Sequence, residues 1–464
     1  MATGKFIMNI YVLWINFQIG VYIMKKKKEK HVKDKGTIKN SIKDLCDLTP
    51  KNMSSVFNKK PVIRIKFNGI YENIDLYSFR MNIDDRIVSS VVNKQYAIYK
   101  PKKDLKHGKH RIKVSFKDIN NRDVQVEWYF YTIDEKTKYR LYFGVPHSHT
   151  NISSGEASPI EAYTKSRKRE LDYLIITDHS RRLSSKGVMS ISKLKRGKDF
   201  DKWDLTNYEA DIVNKKHKKF LALAGFELST SFWGHINVYN SRDYIRNKMK
   251  NLYMFYEWLN IRSNVIISIN HPNESLADIG YLLEFDEYLN FIEVANGIPS
   301  KKYMRRENIY FKLLDKGWHL GVLNSQDNHK DDWGCSDNLT VVVAEKLTKK
   351  SFFEAFKMRR TYSTESRTLK LIVKCNGYYM GSIINCNIGN NMDFEIIAED
   401  RKNKIKKIDI ISNGGITIKS KNDFKNKNKI IWEPQIILDK KNRWYVVKVY
   451  LDKDRWAIAS AIFS

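Results

Sequence analysis

The sequence predicts an α/β domain with a cluster of ionisable side chains, flanked by two antiparallel β modules. Three observations lead there. Short apolar runs between residues 141 and 330 each end on a His, Asp or Glu. Segments with helical spacing lie between those runs. Before residue 140 and after residue 369 the apolar period drops to two, with turn signals between the runs.

The chain has 464 residues and a formal net charge of +31, so it has room for more than one domain and attracts anions. Residues 6–24 form an uncharged apolar stretch followed by the run KKKKEK. That stretch approaches the ~20 residues of a membrane span, although Asn9, Asn16 and Gln18 interrupt it. Two readings stay open for residues 1–24. One is a membrane anchor that keeps the basic run and the body in the cytoplasm; the other is an over-extended start, with Met24 as the true one. Residues 25–60 read as a basic flexible tether. Cys46, Cys335, Cys375 and Cys386 form no C-x-x-C pair, so reduced cytosolic thiols are expected. Cys335 draws notice because it follows His329 closely.

Residues 61–140 alternate in VIRIKF, in the strand after HGKHRI and in VQVEWYFYTI, predicting an immunoglobulin-like β domain. His107 and His110 read as exposed turn residues there. Residues 141–365 carry the chemistry. LYFGVP delivers His147 and His149, which point the same way on a strand. A helix is expected from Pro159 to about Arg169. Tyr173 to Thr177 delivers Asp178 and His179, LALAGF delivers Glu227, and a further strand opens at His235. VIISI delivers His271, the run from Asn290 delivers Glu293 and Asn296, and the run from Leu320 delivers Asp327 and His329. Helices are expected over Asn251–Arg262, Lys302–Lys316 and Leu347–Met358. A single histidine at a strand end is weak evidence. Six, with a glutamate and an aspartate, would repel or stay unsatisfied if buried together without metal. Imidazole and carboxylate suit Zn, Mn or Fe, so a site for more than one divalent ion is expected.

The ordered set H-x-H, T-D-H, G-x-E, H-P-N and x-D-x-H resembles the PHP (polymerase and histidinol phosphatase) superfamily over roughly residues 141–345. The resemblance implies a distorted (β/α)7 barrel and two or three divalent ions. It implies that His147, His149, Glu227 and Asp327 hold one ion. Glu227 would bridge to a second, held by His235 and His271, and His179 and His329 would serve a third. Asp178 would orient the site or, like His329, act as the general acid. The loop after H-x-H has Glu156 where relatives carry another ligand, and Gln326 replaces a serine before Asp327. Glu156 and Glu293 are therefore uncertain members of the set.

Two clustered cations generate hydroxide from bridging water near neutral pH and need no serine or cysteine nucleophile. Arg360, Lys330 and Asn296 are the candidate substrate-binding residues, with Arg305 and Arg306 as further cations. Residues 366–464 read as an antiparallel sandwich. RRTYST, CNGYYMGS, KIDIISNGG and WYVVKVYL resemble the C-terminal module of the CehA/McbA branch, named for carbaryl hydrolysis. The expected activity is a metal-dependent phosphoesterase on small phosphate esters or nucleotides. The alternatives are carboxyl or carbamate ester hydrolysis and cleavage of oligonucleotides. The expected partner is an anionic small molecule. No basic-aromatic motif for nucleic acid is evident, and membrane contact would involve residues 6–24 alone.

Overall fold

A computed structural model describes residues 46–67, 74–118, 121–184, 201–262, 264–298, 302–424, 427–441 and 443–464. The apolar stretch over residues 6–24 and most of the basic tether lie outside these residues. Among the described residues, no helix is long and apolar enough to cross a membrane. The chain divides into two compact units.

The first unit comprises the described residues of Met1–Asn52, Lys60–Leu105 and Lys109–Phe130. Its strands pair antiparallel. Cys46–Thr49 and Tyr96–Tyr99 flank Ile63–Phe67, and Ile74–Ile83 pairs with Gly108–Asp118. Alternation explains the burial: Ile63, Ile65 and Phe67 point inward while Arg64 and Lys66 face water. The end of the expected tether is thus a strand, because Cys46–Thr49 has a partner edge to join. His110 is also not a turn residue. It is 4% exposed inside a strand, its Nδ1 lies 2.7 Å from Asp84 Oδ2, and its ring packs on Phe130.

The second unit comprises Met53–Lys59, Lys106–Gly108 and Tyr131–Ser464. It is mixed α/β and rich in strands. We number its elements β1 (Arg140–Val145), α1 (Pro159–Lys168), β2 (Tyr173–Ile176), α2 (Lys202–Lys216), β3 (Leu221–Ser229), β4 (His235–Tyr239), α3 (Leu252–Asn260), β5 (Ile266–Ile269), β6 (Leu289–Asn296), α4 (Glu307–Asp315), β7 (Gly321–Ser325), β8 (Leu339–Ala344), α5 (Lys349–Lys357) and β9 (Thr361–Thr364). β1, β2 and β3 run parallel, as do β5, β6 and β7. β4 is antiparallel to both β3 and β5. Only five residues separate β3 from β4, too few for a crossover helix. The regular alternation expected of a (β/α)7 barrel is therefore interrupted here, and no ladder joins β7 to β8 among the described residues.

The central strands are buried along their whole length, so they read as unbroken apolar runs. β1 approaches β2 closely at Gly144, where a Cβ would meet the Tyr173 carbonyl at 2.3 Å. α1 opens on a capping box of Ser158 and Glu161, with Pro159 in its first turn. α2 was not anticipated. The helix predicted from Lys302 begins only at Glu307, because Met304–Arg305 pairs with the end of β6.

The strands after residue 366 do not stand apart. β9 pairs with Trp456–Ala459, which pairs with Trp444–Leu451 and through it with Ile405–Ser412, so one sheet runs from β6 into the C-terminal strands. Leu369–Cys375 and Asn391–Asp400 belong to the facing sheet. Val341, Val343 and Tyr362 share one core with Leu371, Ile396, Ile410 and Val447. Residue 365, the expected boundary, lies within this unit, where β9 is flanked by β8 on one side and by Trp456–Ala459 on the other.

Candidate metal centre

Glu227 lies within β3, and each other predicted ligand sits at or just beyond the end of a strand, where the backbone leaves the sheet and a polar side chain can turn inward. Isolated bridges pair Ser148 with Asn328 and His179 with Glu227. The His149 N–H donates to the Asn328 carbonyl and the Asp327 N–H to the His147 carbonyl, tying the loop after β1 to the loop after β7. Asp327 takes φ +49° and His271 φ +27°, tight turns that swing both side chains off the strand path.

Glu227 is at the centre. Its carboxylate lies 2.8 Å from His179 Nδ1 and 3.3 Å from His235 Nδ1. The Nε2 atoms of His147, His149 and His271 are each 3.5 Å away. Burial pushes Glu227 up, but the charge of His147 and hydrogen bonds from His179, His235 and His271 outweigh it. Its carboxyl is held well below the usual range. Asn270 Nδ2 donates to Glu227 at 3.0 Å.

His147 is fully buried, with Nδ1 2.8 Å from Glu293 Oε1. Burial opposes its protonation, yet Asp327, Glu293 and Glu227 push its pKa up to about 10. A cation that displaced the Nε2 proton, with Nδ1–H kept on Glu293, would find the Nε2 lone pair turned into the cluster. That Nε2 is 3.2 Å from His149 Nε2 and 3.3 Å from Asp327 Oδ1, and His149 Nε2 is 3.1 Å from the same oxygen. Asp327 Oδ1 is buried and accepts no hydrogen bond. Two ring nitrogens and an orphaned carboxylate oxygen thus converge on one point, an arrangement that suits a cation.

Three donor groups could each hold an ion: His147, His149 and Glu227; Glu227, His235 and His271; and His149, His179 and His329. They share Glu227 and His149, so the three positions adjoin. N and O donors together suit Zn, Mn or Fe over Mg or Ca.

The remaining candidates divide. Glu293 is 0% exposed and belongs to none of the three donor groups found among the described residues: it receives His147 Nδ1, the His271 N–H at 2.6 Å and Asn296 Nδ2 at 2.7 Å. It orients two histidines from behind. Asn296, expected on substrate, is 8% exposed and spends its amide on Glu293. Asp178 is buried. It accepts from Thr150 N–H at 2.8 Å, from the Thr150 hydroxyl at 2.6 Å and from Ser153 Oγ, which lies 3.4 Å from His149 Nδ1. Burial raises its pKa, and both oxygens are committed to the loop behind His149. His329 Nδ1 lies 2.8 Å from the Asp327 carbonyl, and the side chain stays 39% exposed.

Glu156 and Lys330 are drawn to each other rather than to the cluster, in an exposed ion pair at 2.5 Å. Arg360 is 3% exposed, bonded to the Val343 carbonyl and Glu354, with its guanidinium 4.4 Å from the Tyr139 ring centroid. It is a packing residue, turned inward because Arg359 adopts φ +55°. Arg305 is paired with Glu365 and Asp454, and Arg306 donates to the Pro272 carbonyl. Cys335 is exposed and joins no donor group among the described residues. Sequence reading did not single out Arg181 and Arg182, which are exposed on the short helix Ser180–Leu183 that His179 opens. The signal was present in T-D-H-S-R-R.

These assignments are separable. Arg360→Ala is expected to cost about 2–4 kcal/mol of stability, discounted because Glu354 is half exposed, and to leave kcat/KM of the folded protein unchanged. Lys330→Ala should leave both unchanged. Urea unfolding and steady-state rates on the two variants check this; a loss of turnover without a loss of stability in Arg360→Ala would return that residue to the site.

No protein-family model matches the chain, and no curated protein sequence matches it. Among solved structures, it is similar to a two-domain Bacteroides vulgatus protein described as containing a predicted PHP-like metal-dependent phosphoesterase, at 16% identity and TM-score 0.39, over 67% of this chain and 90% of that one. PsfC from Pseudomonas syringae gives 13% identity and TM-score 0.32 over 48% and 90%. CopC from Methylosinus trichosporium gives 14% and 0.18 over 20% and 97%. At these scores none of the three bears on the chemistry.

Proposed function

We propose that the chain is a metal-dependent hydrolase acting on phosphate esters of small molecules or nucleotides, with a distorted (β/α)7 barrel of the PHP type and kinship to the CehA/McbA branch. The observation that carries this reading is the Glu227 carboxylate with five imidazoles within 3.5 Å, beside the orphaned Asp327 oxygen. His147, His149, Glu227 and Asp327 would hold one divalent ion, Glu227, His235 and His271 a second, and His149, His179 and His329 a third. Such ions acidify water and polarise a phosphoryl or carbonyl oxygen.

The protein's own groups would do the rest. Glu293 and Asn270 keep His147 and Glu227 aimed at the cluster. Asp178, through Thr150 and Ser153, fixes the loop that carries His149. His329 has Nδ1 tied to a carbonyl, so its Nε2 would be a ligand where three ions are held and the proton carrier for the leaving group where only two are; Asp178 lacks a free oxygen for that task. Arg181, exposed two residues after His179, is the cation that would meet an anionic substrate there. Carbamate or carboxyl ester hydrolysis is the second reading, supported by the motifs of the C-terminal strands.

The test is a hydrolysis screen of the full chain on phosphate monoesters, phosphodiesters and carboxyl or carbamate esters, with and without chelator. Chelator-sensitive phosphate release is the expected result. Ester cleavage alone would move the protein to the second reading, and no turnover after reloading with Zn, Mn or Fe would overturn both.

A further inference from the structure

Between β7 and β8 the chain makes a loop over residues 326–338, and Asp327 stands at its start. Gln326, 1% exposed, ties that loop together. Its Nε2 donates to the Ser336 and Asn338 carbonyls at 3.3 and 3.1 Å, and its Oε1 accepts from the Gly334 N–H at 3.2 Å. The far side of the loop is thus folded back onto the residue before Asp327. The same loop reaches His149. Trp333 is fully buried, and its indole N–H donates to the His149 carbonyl at 3.1 Å.

Arg367 grips this loop from outside. It follows β9, on the arm that leads into the C-terminal strands. Its Nε donates to Asp337 Oδ1 at 2.9 Å, its Nη2 to the Gly334 and Ser336 carbonyls at 2.8 and 2.9 Å, and its Nη1 to the Arg169 carbonyl at 2.9 Å. The Ser336 carbonyl is one that Gln326 also holds, and Gly334 adjoins Trp333, so the guanidinium is in touch with both tethers. Asp337 is held a second time, by Arg455 Nη1 at 3.1 Å. Arg169, just past α1, closes the ring: its Nη1 donates to the Trp333 carbonyl at 2.9 Å.

A planar fork with fixed donor directions sets where its acceptors stand, which a single ammonium cannot do. On the metal-centre reading above, we propose that Arg367 is a positioning residue for that centre: it holds the 326–338 loop in the form that keeps Asp327 and His149 converging on one ion. Arg367 bonds to none of the candidate ligands among the described residues. It acts through Gln326 on Asp327 and through Trp333 on His149, the two ligands whose Oδ1 and Nε2 stand 3.1 Å apart. The strands after residue 366 thereby bear on the chemistry, as the anchor of the arm that carries the guanidinium.

The test is calorimetric titration of Zn into the metal-free full chain, with urea unfolding of the same variants. Arg367→Lys keeps the charge beside Asp337 but cannot serve all the acceptors of the fork. It is expected to bind Zn at least ~10-fold more weakly, the lower end of what losing an outer support costs. Trp333→Phe keeps a buried ring and loses only the N–H to His149, and a loss of about 2–10-fold is expected. Arg360→Ala is the control, since its guanidinium packs on Tyr139 and Glu354 and not on the loop. It should be destabilised yet bind Zn as wild type does. Wild-type Zn affinity in Arg367→Lys would overturn the proposal, and so would an equal loss in Arg360→Ala. Should Arg367→Lys not fold, wild-type affinity in Trp333→Phe overturns it instead. A wild-type chain that takes up no Zn would overturn the metal centre and this role with it, whereas Zn bound alike by all four proteins would overturn the role alone.

Discussion

Glu227→Gln is expected to abolish divalent metal binding and hydrolysis together. The substitution keeps the shape of the side chain and removes the carboxylate charge shared by His147, His149, His179, His235 and His271. Two of the three donor groups lose their shared member. An amide is a poor ligand for Zn, Mn or Fe beside imidazole, and its N–H₂ would have to face ring nitrogens. The loss in kcat/KM should reach at least ~10³-fold, or ~4 kcal/mol. Elemental analysis after dialysis and steady-state rates on the same sample check it. A variant that keeps both metal and activity would refute the centre.

Glu293→Gln should behave differently, although its carboxylate is buried just as deeply. It touches no predicted ion position; it holds His147 by Nδ1 and the His271 backbone N–H. Metal affinity should fall by about 10–100-fold, the usual cost of losing an outer partner of a ligating histidine. Saturating metal should then restore most of the turnover, which it would not do for Glu227→Gln. Titrating activity against free metal separates the two roles. If excess metal fails to rescue Glu293→Gln, the residue is a ligand and the positioning role is wrong.

The positions that converge on Glu227 were legible because each apolar run stops at a polar residue, a pattern that survives in one dimension. Their surroundings were not. Glu293 lies on β6, buried on both faces, so alternation gives no clue to where it points. Lys330 and Glu156 stand 174 positions apart, and their pairing is a product of the fold. Arg360 follows Arg359 at the end of a helix and reads as a surface basic pair; the left-handed turn at Arg359 inverts that reading. The N-terminal alternation was legible, yet His110 was not, since its Asp84 partner comes from another hairpin. The C-terminal strands were recognisable as strands, but which edge they would join depends on long-range pairing that periodicity does not encode.

The shared sheet has a consequence for how the protein is made. Ser460 Oγ accepts from the Val322 N–H on β7 and bonds Thr361 on β9, the Ala461 N–H donates to Tyr310 on α4, and Phe463 packs edge-on to His319. The strand that presents Asp327 is thus braced by residues synthesised more than a hundred positions later. The candidate ligands are therefore made well before the residues that brace β7, and a chain lacking residues 460–463 would carry those side chains without the scaffold that aims them.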